Sequence, residues 1–97
     1  MKTLKEVKDT LSQHKEELEG KYKVKEIGIF GSYMRGEQRK RSDIDILVEF
    51  KEPIGLFEFM ELEEYLKKLL GAKVDLVTRE ALKPHIGEYI LKEVSYL

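Results

Sequence analysis

Three of the four aspartates lie where the chain reads as β-strand. Asp43 and Asp45 sit in Ser42-Asp43-Ile44-Asp45-Ile46-Leu47-Val48, and Asp75 sits in Val74-Asp75-Leu76-Val77-Thr78. Asp is disfavoured in strands, and elsewhere this chain uses Glu as its solvating acid, since only four of 19 acidic residues are Asp. Strand residues i and i+2 point the same way, so Asp43 and Asp45 present two carboxylates on one face, about 7 Å apart along the backbone. If the strand carrying Asp75 is their neighbour, its carboxylate lies about 5 Å across the sheet. Acids gathered in this way repel and raise one another's pKa, and divalent cations relieve the repulsion. Hard oxygen donors suit Mg²⁺, and two such ions about 3.5–4 Å apart stabilise both the entering and the leaving oxygen of an in-line phosphoryl displacement.

Gly31-Ser32 closes the preceding strand-like run and complements the acids. Glycine at a strand end lets backbone approach a ligand closely. The following N–H groups, the Ser32 hydroxyl and the start of a short helix would together cradle an anion. Asp-x-Asp alone is a common strand-end pattern, and a Gly-Ser turn alone says less. Together with a third strand aspartate they predict a site that grips a nucleoside triphosphate through metal ions and its phosphates.

The elements that must position these groups follow from hydrophobic spacing. Leu4, Val7, Leu11, His14 and Leu18 make one stripe, predicting an amphipathic helix over residues 3–19 that stops near Gly20. Val24 to Phe30 reads as a strand, Tyr33 to Glu37 as one helical turn, and Gln38 to Arg41 as a basic loop. Asp43 to Phe50 alternates, with Ile44, Ile46, Val48 and Phe50 on one face and Asp43, Asp45, Leu47 and Glu49 on the other. Leu56 to Leu70 reads as a helix with Phe59, Leu62, Leu66, Leu69 and Leu70 inward, ended by Gly71. Lys73 to Thr78 is a further strand, and Thr78 is placed to cap a short turn over Arg79 to Leu82. Pro84 opens a last helix with Ile86, Ile90, Val94 and Leu97 on one stripe. The order predicts an α/β (α+β) fold: a small mixed sheet of about three to four strands covered by helices, in one domain spanning residues 1–97.

Composition narrows the function classes. A net charge of −1 over 97 residues offers no global field for nucleic acid, so no sequence-specific nucleic-acid binding is expected. No cysteine is present, which rules out disulfides and Cys-ligated zinc. The start reads as a polar helix rather than a signal peptide and no long apolar run follows, so a cytoplasmic protein without membrane association is expected.

Gly31-Ser32, Arg35-Gly36 and Ser42-Asp43-Ile44-Asp45, at this spacing, resemble the signature of the minimal nucleotidyltransferases, the smallest members of the DNA polymerase beta-like superfamily. Val74-Asp75-Leu76-Val77-Thr78 resembles the strand bearing that family's third aspartate. Ala81-Leu82-Lys83-Pro84, followed by Ile90-Leu91-Lys92-Glu93, resembles its usual C-terminal end. The resemblance implies ATP and two Mg²⁺ ions as ligands, and a role as the antitoxin that transfers AMP onto a tyrosine of a helical HEPN-domain ribonuclease toxin. By position, it implies that Asp43 and Asp45 bind both metals. Asp75 would bind the catalytic one and help to deprotonate the incoming hydroxyl. Gly31 and Ser32 would hold the triphosphate, with Ser42 and Arg35 in the same nucleotide-binding motif. Arg35 is open between phosphate contact and pairing with Glu37 or a nearby carboxylate, and Tyr33 between base stacking and packing.

Departures from the pattern are Met34, where a small residue is usual, and Lys40-Arg41 before the Ser-Asp, which makes Arg39-Lys40-Arg41 a basic loop beside the acids. Two other functions fit the same residues. One is a binding module that neutralises a toxin by covering it, without catalysis. The other is a small-molecule nucleotidyltransferase, although such enzymes usually carry an extra acceptor-holding domain. Leu56, Phe57, Tyr89 and Tyr96 are expected to form an exposed surface for the toxin or for a second copy of the chain.

Overall fold

The computed structural model describes residues 3–36, 43–82 and 84–97. Along the chain run α1 (Leu4–Gln13), α2 (Lys15–Gly20), β1 (Val24–Phe30), α3 (Ser32–Arg35), β2 (Ile44–Phe50), α4 (Leu56–Leu70), β3 (Val74–Thr78), a 3₁₀ turn (Arg79–Ala81), α5 (Pro84–Glu93) and β4 (Ser95–Tyr96). The described strands form one mixed sheet in the order β3-β2-β1-β4. The β1–β2 and β1–β4 pairs are antiparallel and the β2–β3 pair is parallel. The expected α/β fold is therefore present.

Period-2 alternation divides the sheet into two faces. Ile27 and Ile29 of β1 stand opposite Val48 and Ile46 of β2, while Val74 and Leu76 of β3 stand opposite Ile44 and Ile46. These residues join Val7, Leu11 and Leu18 of α1 and α2 and Leu62, Leu66 and Leu70 of α4 in one buried cluster. Each Leu or Ile taken fully out of water in this cluster contributes about 1.5–3 kcal/mol. The other face carries Asp45, Leu47 and Asp75, with Leu47 also buried. α4 is defined at both ends. The Gly55 N–H donates to Glu58 Oε1 at 3.2 Å, Lys67 and Lys68 sit in its last turn, and Gly71 ends it with φ +62°.

Two expected elements differ. The predicted helix over residues 3–19 is broken at His14 (φ −111°, ψ 18°), whose ring Nδ1 lies 2.9 Å from the Thr10 carbonyl oxygen. The apolar stripe runs through the break because Val7, Leu11 and Leu18 still reach one core. The last helix ends at Glu93 instead of carrying its stripe to Leu97, and Ser95-Tyr96 pairs with Gly28-Ile29 of β1. Gly28 makes this possible: an added Cβ would lie 2.7 Å from a Val94 methyl and 2.9 Å from the Ser95 carbonyl oxygen. Backbone pairing along β1 thus outweighs continuation of the helix. The short turn after β3 forms as expected over Arg79–Ala81, but without a side-chain cap from Thr78.

Candidate active site

The site is built where β1 ends, β2 begins and β3 runs beside β2. In the parallel β2–β3 ladder, Asp45 is the register partner of Asp75. Directly paired residues share a sheet face, so the two carboxylates point to the same side, and Asp43, two residues before Asp45, joins them. Asp43 and Asp75 are exposed, whereas Asp45 is partly buried. Burial pushes the Asp45 carboxyl up to about 6 from an ordinary 3.8, and the neighbouring Asp75 and Asp43 charges add to that rise. The Arg35 guanidinium and a hydrogen bond from the Ser32 backbone N–H oppose it.

The Gly31 turn is shaped around the same carboxylate. Gly31 has φ +75° and ψ −146°, a backbone region that side chains essentially exclude. A Cβ on Gly31 would overlap Asp45 Oδ2 and stand 2.9 Å from its Cγ. Two consecutive turn N–H groups face two carboxylates: that of Ser32 donates to Asp45, and that of Gly31 to Glu93 Oε2 at 3.2 Å. Arg35, in the single turn of α3, donates to Glu93 Oε1 at 2.7 Å. Both Gly31 and Ser32 therefore lie at the site, with their backbone N–H groups directed to protein carboxylates.

Of the residues singled out from the sequence, Asp43, Asp45, Asp75, Gly31, Ser32 and Arg35 are brought to one end of β1, β2 and β3. Ser42 and the Arg39-Lys40-Arg41 loop lie outside the described residues. The pairing alternative for Arg35 is realised with a carboxylate, that of Glu93. Tyr33 is buried to 4% exposure, so it packs in the core rather than offering a stacking face. Glu93 was not assigned a role by sequence reasoning. Its signal was present, since an acid in the last turn of a helix opposes the helix dipole.

Among the described residues no three His, Cys, Asp or Glu side chains are already gathered into a metal-ligating cluster. The donor chemistry still fits Mg²⁺. That ion typically takes one or two carboxylates with waters and substrate phosphates rather than a closed protein cage, and Asp45 with Asp75 supplies such an open, all-oxygen edge. A hollow of about 210 Å³ lined by Leu18, Val24, Ile27 and Tyr96, beside the first half of β1, contains none of the three aspartates.

Comparison with known proteins accords with this geometry. The nucleotidyltransferase domain family matches residues 11–97. Protein adenylyltransferase MntA of Thermococcus cleftensis is 52% identical over 97 residues, covering 100% of this chain and 98% of that protein. A solved structure assigned as a minimal nucleotidyltransferase superposes with a TM-score of 0.79 at 33% identity, over 99% of this chain and 97% of the other. A crystal structure of a toxin–antitoxin with AMP-PNP superposes with a TM-score of 0.72 at 26% identity, over 91% of this chain and 69% of that one. The match across nearly the whole chain, on a fold that sets Asp45 beside Asp75 at the Gly31 turn, makes this protein a member of the nucleotidyltransferase domain family, of the minimal type to which the antitoxin adenylyltransferases belong.

Proposed function

We propose that the chain transfers AMP from ATP to a tyrosine hydroxyl of a cognate HEPN-type ribonuclease toxin, silencing it. The observation that carries this reading is the pairing of Asp45 with Asp75 beside the Gly31 turn. Support for the protein acceptor comes from the 52%-identical relative named a protein adenylyltransferase, and support for ATP from the AMP-PNP bound in a structural neighbour.

In this reading Asp43 and Asp45 would hold two Mg²⁺ ions and Asp75 would hold one of them. When bound, the ions would neutralise phosphate charge and favour the ionised acceptor hydroxyl. The chain's own groups do the positioning. The Ser32 hydroxyl contacts the triphosphate, with Ser42 in the same motif, and Gly31 leaves room for Asp45 to face the phosphates. Asp75 assists removal of the tyrosine proton. The tyrosine oxygen forms a bond to the α-phosphorus, the bond from that phosphorus to the bridging oxygen breaks, and pyrophosphate leaves with the electron pair. In this reading the toxin itself completes the acceptor side.

The test is incubation of the protein with Mg²⁺, the toxin encoded beside it, and ATP labelled at either the α or the γ position. Label is expected on the toxin from the α position alone, and its loss on toxin Tyr→Phe substitution identifies the acceptor. A toxin neutralised without label would establish the non-catalytic binding module instead. Cytoplasmic location belongs to the same proposal; among the described residues no helix is long and apolar enough to cross a membrane.

A further inference from the structure

Glu93 closes α5, where its charge opposes the helix dipole, and yet its side chain is only 14% exposed. A carboxylate so placed is held there by its partners. Its two oxygens are divided between elements far away in sequence: Oε2 accepts from the Gly31 N–H at 3.2 Å and Oε1 from the Arg35 guanidinium at 2.7 Å. These partners begin and end the turn that carries Ser32. From the other side, Asp45 accepts from the Ser32 N–H and feels the Arg35 charge. The turn is thus held between two carboxylates, one from β2 and one from α5, with Arg35 acting on both.

The placement of Glu93 is itself built into the sheet. The residue after it, Val94, lies over Gly28, and Ser95-Tyr96 pairs with Gly28-Ile29. Gly28 lies on β1 three residues before Gly31, which follows the end of that strand, so the docking of the C-terminal strand fixes where the Glu93 carboxylate meets the turn.

We infer that Glu93 is a positioning residue for the nucleotide: by holding Gly31 and Arg35 it sets the Ser32 turn for the triphosphate, making the end of α5 part of the nucleotide site. This inference rests on the nucleotidyltransferase reading above. Glu93 touches neither the reacting atoms nor the acceptor and acts only through the turn.

The experiment measures the Kd for AMP-PNP with Mg²⁺ by calorimetry on wild type, Glu93→Ala and Glu93→Gln, together with KM and kcat for ATP in transfer to the toxin. Glu93→Ala is expected to raise Kd and KM by about tenfold or more with kcat little changed, as loss of a supporting hydrogen-bond shell typically does. Glu93→Gln keeps an acceptor for the Gly31 N–H but loses the charge facing Arg35, so it should recover part of the affinity. Thermal melts guard against misfolding. If both variants melt lower but the folded protein keeps the wild-type Kd and KM, Glu93 is only a structural tie and the inference fails. If Kd falls, Glu93 instead occupies groups that a phosphate would use, and the inference fails again. Wild-type protein that binds no AMP-PNP would overturn the nucleotidyltransferase reading itself, a result distinct from either of these.

Discussion

The Asp45 carboxylate fills the space that a side chain on Gly31 would need. Two demands meet at this one glycine: a backbone at φ +75°, ψ −146°, and an empty Cβ position facing an acid. Gly31→Ala is therefore expected to destabilise the fold by about 1–3 kcal/mol. It should also reduce AMP transfer further than the loss of folded protein explains, because Asp45 or the turn must move. Melting temperature and transfer per folded molecule check this. A variant with wild-type melting and wild-type transfer would show that the turn and Asp45 are not in contact.

Asp45 supplies a prediction about pH. Its folded-state value of about 6 lies above the ordinary 3.8, because of burial first and the neighbouring Asp75 and Asp43 charges second. Folding thus favours the protonated form. This contribution to stability is fully present below about pH 4 and is lost as pH rises through about 6. Asp45→Asn removes the penalty. Discounted for partial exposure, the gain near neutral pH is about 1 kcal/mol, or roughly 4–8 °C in melting temperature. The difference from wild type should vanish below about pH 4. The same variant should transfer no AMP. Melts across that range, with transfer at neutral pH, decide the matter, and a variant less stable than wild type at neutral pH would contradict the assignment.

The alternation from Asp43 to Phe50 was enough to place Asp43 and Asp45 on one sheet face, because parity within a strand is fixed by backbone geometry, whereas Asp75 joined them only on the condition that its strand lies beside theirs in register. The β2–β3 register that opposes Asp45 to Asp75 confirms the parity argument at the site. The break at His14 was hidden because α1 and α2 keep a common apolar stripe on either side of it. The strand Ser95–Tyr96 was hidden because two residues carry no readable period, and its reason for forming lies at Gly28, far away in sequence. Without that strand the position of Glu93 could not be inferred, so its contacts with Gly31 and Arg35 were out of reach of any local pattern.

Gly28 tests this long-range dependence. An alanine there would meet the Val94 methyl at 2.7 Å, the Ser95 carbonyl oxygen at 2.9 Å and Tyr96 Cδ1 at 3.0 Å. One of the three is backbone that cannot rotate away. Gly28→Ala should cost about 1–3 kcal/mol by overpacking and should weaken AMP-PNP binding, since Glu93 is carried by the displaced segment. Ser95→Ala is the control: it removes only the hydrogen bond from Lys8 Nζ at 2.8 Å, costs about 1 kcal/mol and leaves nucleotide binding unchanged. Equal binding by wild type and Gly28→Ala would separate the C-terminal strand from the site.

The aromatic residues expected on the surface divide into two kinds. Phe57 is 79% exposed and Tyr89 64%, so neither gains much from the fold. Tyr96 is 38% exposed, but its backbone pairs with Gly28, its ring edge lies against that glycine, and it lines the hollow beside Leu18 and Ile27. Burial, not residue type, decides what truncation costs. Phe57→Ser and Tyr89→Ser should each change stability by no more than about 0.5 kcal/mol. Tyr96→Ser should cost about 1–2 kcal/mol from lost apolar contact. Denaturant titrations of the three variants give the comparison directly. A large loss for Tyr89→Ser would place that ring against the domain, whereas an unchanged midpoint for Tyr96→Ser would mean that its backbone pairing, and not its ring, holds the last strand to β1.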